Sequence, residues 1–233
     1  VLAAQVSRML ADDKAQALSH DFGFQWLHLA KLSEITPDRT QFPQASGLLD
    51  PRGLFREELQ EFLDSVLRND HSVTELLTAN YTFLNERLAM IYGIETVKGA
   101  HFRRVDLPAD SPREGLLGKG AILMLTAYPN RTSPVLRGRW ILDRLLGTPP
   151  ADPPLNVPSL PENRRGEAPK TLRARLEQHR ANPTCFACHG VMDPLGFAME
   201  NFNAVGQYRT NDPDTRAPID ASGQLPDGTP IKG

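Results

Sequence analysis

The only two cysteines of this 233-residue chain stand three apart in Asn182-Pro-Thr-Cys185-Phe-Ala-Cys188-His189, with a histidine directly after the second. C-x-x-C-H is the pattern of covalent c-type haem attachment. Two thiols one helical turn apart can add across the two vinyl groups of a single macrocycle, and the adjacent His189 then offers a ring nitrogen to the iron. Three other chemistries use similar residues. A dithiol redox pair expects a βαβ setting, which the neighbouring sequence lacks. A zinc site could draw on Cys185, Cys188 and His189 but needs a fourth ligand. A plain disulfide would suit an oxidising compartment. The pattern as a whole points to one covalent haem c.

If His189 takes one face of the iron, the group opposite decides between electron transfer and substrate chemistry. Met192 lies three residues on, so in a helix or turn it shares the side of His189 and cannot reach the far face. His179 is better placed. It follows Leu172 and Leu176 on one face of the preceding helix, and Asn182-Pro183 turns the chain between it and Cys185. A polar helix-end histidine favoured by the helix dipole is the alternative for that residue. Met199, Met124 and His101 are weaker candidates, and His20, His28 and His71 read as surface or core histidines. Haem propionates are anionic and suit a bidentate guanidinium. Arg131 and Arg137, close to the cap of the helix that carries Trp140, are the arginines selected for that role, with Arg139 and Arg209 nearby in sequence.

Those residues need elements to hold them. Helical spacing of apolar residues covers much of 1–32, and a helix over 54–67 places Phe55, Leu59, Phe62, Leu63 and Val66 on one side, with Glu57, Glu58 and Glu61 opposite. Ser72 to Glu75 forms a capping pattern before a short helix. A helix over 82–92 closes at Gly93, and a weak strand signal lies within 101–110. Residues 115–120 read as a close-packing turn into a helix over 121–127. Ser133-Pro134 opens a helix that Gly147 closes. Residues 148–161 hold six prolines and cannot be helical. A helix over 171–181 stops before Pro183, the C-x-x-C-H turn follows, and a short helix is expected over 196–205.

A formal charge of −2 and a pI near 6.3 give no support to nucleic acid or an anionic membrane surface as partner. No apolar run approaches the roughly 18 residues of a membrane span. The chain starts at Val1 and ends in a Pro/Gly-rich stretch, which suggests a mature or partial chain of a longer polypeptide.

Several longer motifs carry a resemblance: Arg8 to Asp12, Gln25 to Leu27, Ala79 to Arg87, Tyr92 to Ile94, Asn130 to Val135, Leu146 to Pro150, Met192 to Phe197, Glu200 to Phe202 and Ile219 to Gly223, beside His179 and the C-x-x-C-H. Together they resemble the multi-domain bacterial c-type cytochromes of Planctomycetes and related groups, which are large secreted proteins built from several domains of unknown function. The resemblance implies haem c, a periplasmic or cell-surface location, and further domains outside this chain; it leaves the reaction open. The expected fold is mainly α: a helical domain over 1–147, a Pro-rich linker or strap over 148–170, and a cytochrome c-like haem-binding module over 171–233, with a further segment starting near 210. The expected function is electron transfer to a redox protein partner or within a larger complex. A haem-dependent oxidoreductase with an open distal site is the rival, and a scaffold stabilised by its haem is a third reading.

Overall fold

The computed structural model describes residues 1–45, 50–153, 160, 163, 166 and 168–233. The described chain is mainly α, with a few short strands. It divides into two units, residues 1–131 with 204–207 and residues 132–203 with 208–233. Of the expected extended segment 148–170, residues 154–159, 161, 162, 164, 165 and 167 lie outside the described residues.

The first unit contains α1 (Leu2–Leu10), α2 (Phe24–Trp26), α3 (Pro51–Arg68), α4 (Glu75–Thr78), α5 (Glu86–Tyr92) and α6 (Gly120–Leu125). Its centre is α3. Asp50 caps that helix by accepting from the Arg52 amide at 3.1 Å, and Pro51 occupies the first turn, where its missing N–H is no loss. Phe55, Leu59, Phe62, Leu63 and Val66 are buried at helical spacing, as their pattern predicts.

Glu58 departs from its expected exposed position and is fully buried. It falls between Leu54/Phe55 and Phe62 along α3, inside the apolar stripe, and its burial is made tolerable by donors. The hydroxyls of Thr82 and Tyr92 each donate to it at 2.5 Å, and the Gly120 amide donates at 3.3 Å. Gly120 has no substitute there, because a Cβ would stand 2.2 Å from the Phe55 ring. Burial pushes the Tyr92 phenol well up, aided by the adjacent Glu58 charge. Lys119, also fully buried, donates to the Tyr81 carbonyl at 3.0 Å and lies over the Phe62 ring; burial lowers its ammonium to about 8.

The helix expected over 82–92 begins only at Glu86. Tyr81–Leu84 is a strand paired antiparallel with Arg103–Asp106, so the weak strand signal in 101–110 does mark a strand. Tyr81, Thr82 and Phe83 favour extended backbone, and Asn85 ends the strand by capping α5 through the Leu88 amide at 2.9 Å. Gly93 closes α5 in the left-handed region, φ 75°.

The second unit contains α7 (Pro134–Trp140), α8 (Leu172–Arg180), α9 (Pro183–Phe197) and an antiparallel strand pair, Ser222–Gln224 with Pro230–Lys232. Here two expectations need correction. The helix carrying Trp140 was assigned to the first domain, ending at 147; it belongs to the unit that holds the cysteines. The reason is a close helix crossing between α7 and α9. A Cβ on Gly138 would come within 1.9 Å of the Met192 carbonyl oxygen, and one on Gly196 within 1.9 Å of the Pro134 carbonyl oxygen. Two backbones meet where neither glycine has a side chain. The second correction is continuity: the C-x-x-C-H turn and the segment after it form one 15-residue helix that continues through Pro194. That proline removes only the hydrogen bond to the Gly190 carbonyl.

Candidate cofactor site

Asn182 sets the start of α9, its side chain accepting from the Thr184 amide at 2.9 Å, with Pro183 at the first helical position. From that fixed start, Cys185, Cys188 and His189 follow at i, i+3 and i+4. At 100° per residue the three share an arc of roughly 100° on one helix face. Both thiols are free and partly exposed, and Phe186 beside them is 56% exposed. The His189 side chain is 16% exposed and bonds through Nδ1 to Asp193 Oδ1 at 2.9 Å, one turn along the same helix.

α8 brings the second imidazole. Thr171 caps it by accepting from the Ala174 amide at 3.1 Å, and Leu172 and Leu176 bury its inner face against Phe197. His179 continues that face one turn beyond Leu176. The two-residue turn at Ala181-Asn182 then folds α9 back, leaving the His179 and His189 ring centroids 5.1 Å apart and steeply inclined at 73°. Among the six histidines, His20, His28, His71 and His101 all belong to the first unit. Met192 and Met199, the methionines of the second unit, are each 6% exposed. Met192 lies in the α7–α9 crossing, and Met199 gives its carbonyl to Arg137.

The arginines selected from sequence are placed differently from one another. Arg137 is fully buried and its guanidinium is committed to the protein. Nη1 donates to the Met199 carbonyl at 2.6 Å and Nη2 to the Asn203 carbonyl at 3.2 Å, with Glu200 3.7 Å away. Glu200 is held in turn by the Thr132 hydroxyl at 2.5 Å and by Arg209. Burial outweighs attraction in this group: it lowers Arg137 to about 10 and raises Glu200 despite both arginines. Arg131 belongs to the first unit and stacks over Tyr128, 4.5 Å from the ring centroid. Arg139 pairs with Asp152 at 3.0 Å.

The donor set fits a covalently held haem. Two free thiols one turn apart stand beside an imidazole whose Nδ1 is already engaged, so Nε2 is the nitrogen that would ligate. An independent observation agrees. Asp193 is fully buried, and its Oδ2 has no hydrogen-bond partner among the described residues. A buried carboxyl with one oxygen unmatched is poorly compensated by a neutral imidazole. Iron on Nε2 would polarise the ring and strengthen the Nδ1–H bond to that carboxyl. Asp193 was missed in the sequence, although His-x-x-x-Asp at i, i+4 was visible once α9 was known to be continuous.

Comparison with known protein families places two matches along the chain. Residues 113–212 match the model described as PSCyt3, protein of unknown function (DUF1588), and residues 1–94 match PSD4, protein of unknown function (DUF1592). Both are Planctomycete-type cytochrome c families, in keeping with the resemblance carried by the motifs, and each match spans less than half of the chain. The first takes in α7, α8, α9 and the C-x-x-C-H; the second takes in α1 to α5. No curated protein and no solved structure matches the chain.

Proposed function

We propose that the second unit is a c-type cytochrome module: one haem c held by thioethers from Cys185 and Cys188, with His189 and His179 as its two axial ligands. Bound there, the haem supplies a one-electron couple between ferric and ferrous iron. Cys185 and Cys188 would hold the haem covalently on α9, and His189 would offer Nε2 while Asp193 holds its other nitrogen. His179, on the end of a helix anchored by Leu172 and Leu176, would be the second ligand. The observation that carries this reading is the meeting of the two imidazoles beside two free thiols, 5.1 Å between ring centroids. Two strong ligands leave the iron no vacant position, which suits electron exchange with a redox partner or within a larger assembly. Haem attachment of this kind places the protein in the periplasm or at the cell surface.

The test is the optical spectrum of the matured chain. A Soret band, a covalent mass increment and a low-spin ferrous form that ignores carbon monoxide are expected. His179→Ala should turn the spectrum high-spin and open the iron to carbon monoxide. An unchanged low-spin spectrum in that variant removes His179 as ligand, and rapid carbon monoxide uptake by the parent chain favours the oxidoreductase reading with an open distal site.

A further inference from the structure

We infer that Asp193 is the positioning residue of this site: it fixes the tautomer and orientation of His189 and, through the Nδ1 bond, holds the iron's potential low. The inference rests on the haem reading above and goes further, since it says which residue sets the couple. Three observations carry it.

The first is the bond itself, Nδ1 to Oδ1 at 2.9 Å. When the carboxyl oxygen accepts in this bond, Nδ1 donates and Nε2 keeps the free lone pair. The second is rigidity. His189 and Asp193 are one turn apart on the same helix, and the backbone of Met192, the residue just before Asp193, is pinned against Gly138 of α7. The backbone that carries Asp193 is thereby held in place. The third is the state of the carboxyl: it is fully buried, Oδ2 has no partner, and no arginine or lysine is paired with it among the described residues. Among the described residues its side-chain hydrogen bond is the one to His189. A carboxyl so placed gains more from an imidazole bearing the greater positive charge, which is the ferric-bound one. Stabilising ferric over ferrous iron lowers the midpoint potential.

Asp193→Asn keeps the shape and weakens the acceptor. In the haem-loaded chain its midpoint potential should rise by at least 59 mV, the equivalent of a tenfold shift in the ferric-to-ferrous ratio, and the low-spin ferric g values should move with it. Asp193→Glu restores the charge and should bring the potential back toward the parent. A fully haem-loaded Asn variant within twofold of the parent ratio overturns the proposal. If that variant fails to accumulate, the parent protein answers by proton NMR. The His189 Nδ1 proton should exchange slowly with solvent; exchange within the dead time of the measurement would show that the bond to a buried acceptor is not made. Absence of any Soret band in the parent would instead sink the haem reading, and this inference with it.

Discussion

Adding one methyl group at Gly138 should separate α7 from α9. The Cβ of Gly138→Ala would sit 1.9 Å from the Met192 carbonyl oxygen and 2.6 Å from its carbon, both backbone atoms. No rotamer change relieves that clash, so the helices must part by about an ångström. Overpacking of a close-fitted site costs about 1–3 kcal/mol, and a backbone obstacle belongs at the upper end. Alanine returns up to about 1 kcal/mol through its better helix propensity, leaving a loss of about 2 kcal/mol. Gly196→Ala meets the Pro134 carbonyl at the same 1.9 Å and should cost a similar amount. The double variant should lose less than the sum, since both changes open one crossing. Gly53, in the first turn of α3, is the control: nothing lies within 4 Å of an added Cβ, so Gly53→Ala should gain about 0.5–1 kcal/mol. Urea unfolding followed by circular dichroism measures all four; at a slope of about 2 kcal/mol per molar, Gly138→Ala shifts its midpoint down by about 1 M. A Gly138→Ala chain unfolding at the parent midpoint, or above it, would refute the close crossing.

Lys119 should give the protein an alkaline stability gradient. Its folded value near 8 lies below the usual 10.5 of a lysine in the unfolded chain. Between those limits the unfolded state binds the extra proton, so stability rises with pH by up to about 1.4 kcal/mol per unit. The urea midpoint should climb from pH 8 to 10 in the parent and lose that slope in Lys119→Met; a flat parent profile contradicts the burial argument. Arg137→Met removes a buried cation whose donors satisfy the Met199 and Asn203 carbonyls, and should cost about 3 kcal/mol in the same assay. Stability within 1 kcal/mol of the parent would show that those carbonyls and Glu200 find other partners.

The clustering of Cys185, Cys188 and His189 on one helix face was legible because their spacing is local. Cys185, Cys188 and His189 need only one helical turn, and Asn182-Pro183 announces where that turn begins. His179 was reachable by the same logic, from the face shared with Leu172 and Leu176. Asp193 was not, because the C-x-x-C-H segment read as a turn separate from a helix over 196–205, whereas the helix runs unbroken from Pro183 through Pro194 to Phe197. Glu58 misled for another reason. A charged side chain inside an apolar stripe reads as exposed from its type alone, and only its distant partners, Thr82, Tyr92 and Gly120, make burial possible. The boundary at 131 rather than 147 was hidden likewise, since Gly138 and Gly196 show their closeness only once α7 and α9 are set side by side.

Residues 204–207 return to the first unit after the chain has already run through α7, α8 and α9. Arg113, stacked on Tyr92, donates to the Gly206 carbonyl at 2.5 Å as well as to Gly118. The opening 131 residues therefore lack this native acceptor until a point some twenty residues past Cys185 has emerged from synthesis, so the amino-terminal half completes its closure only after α9 has been made.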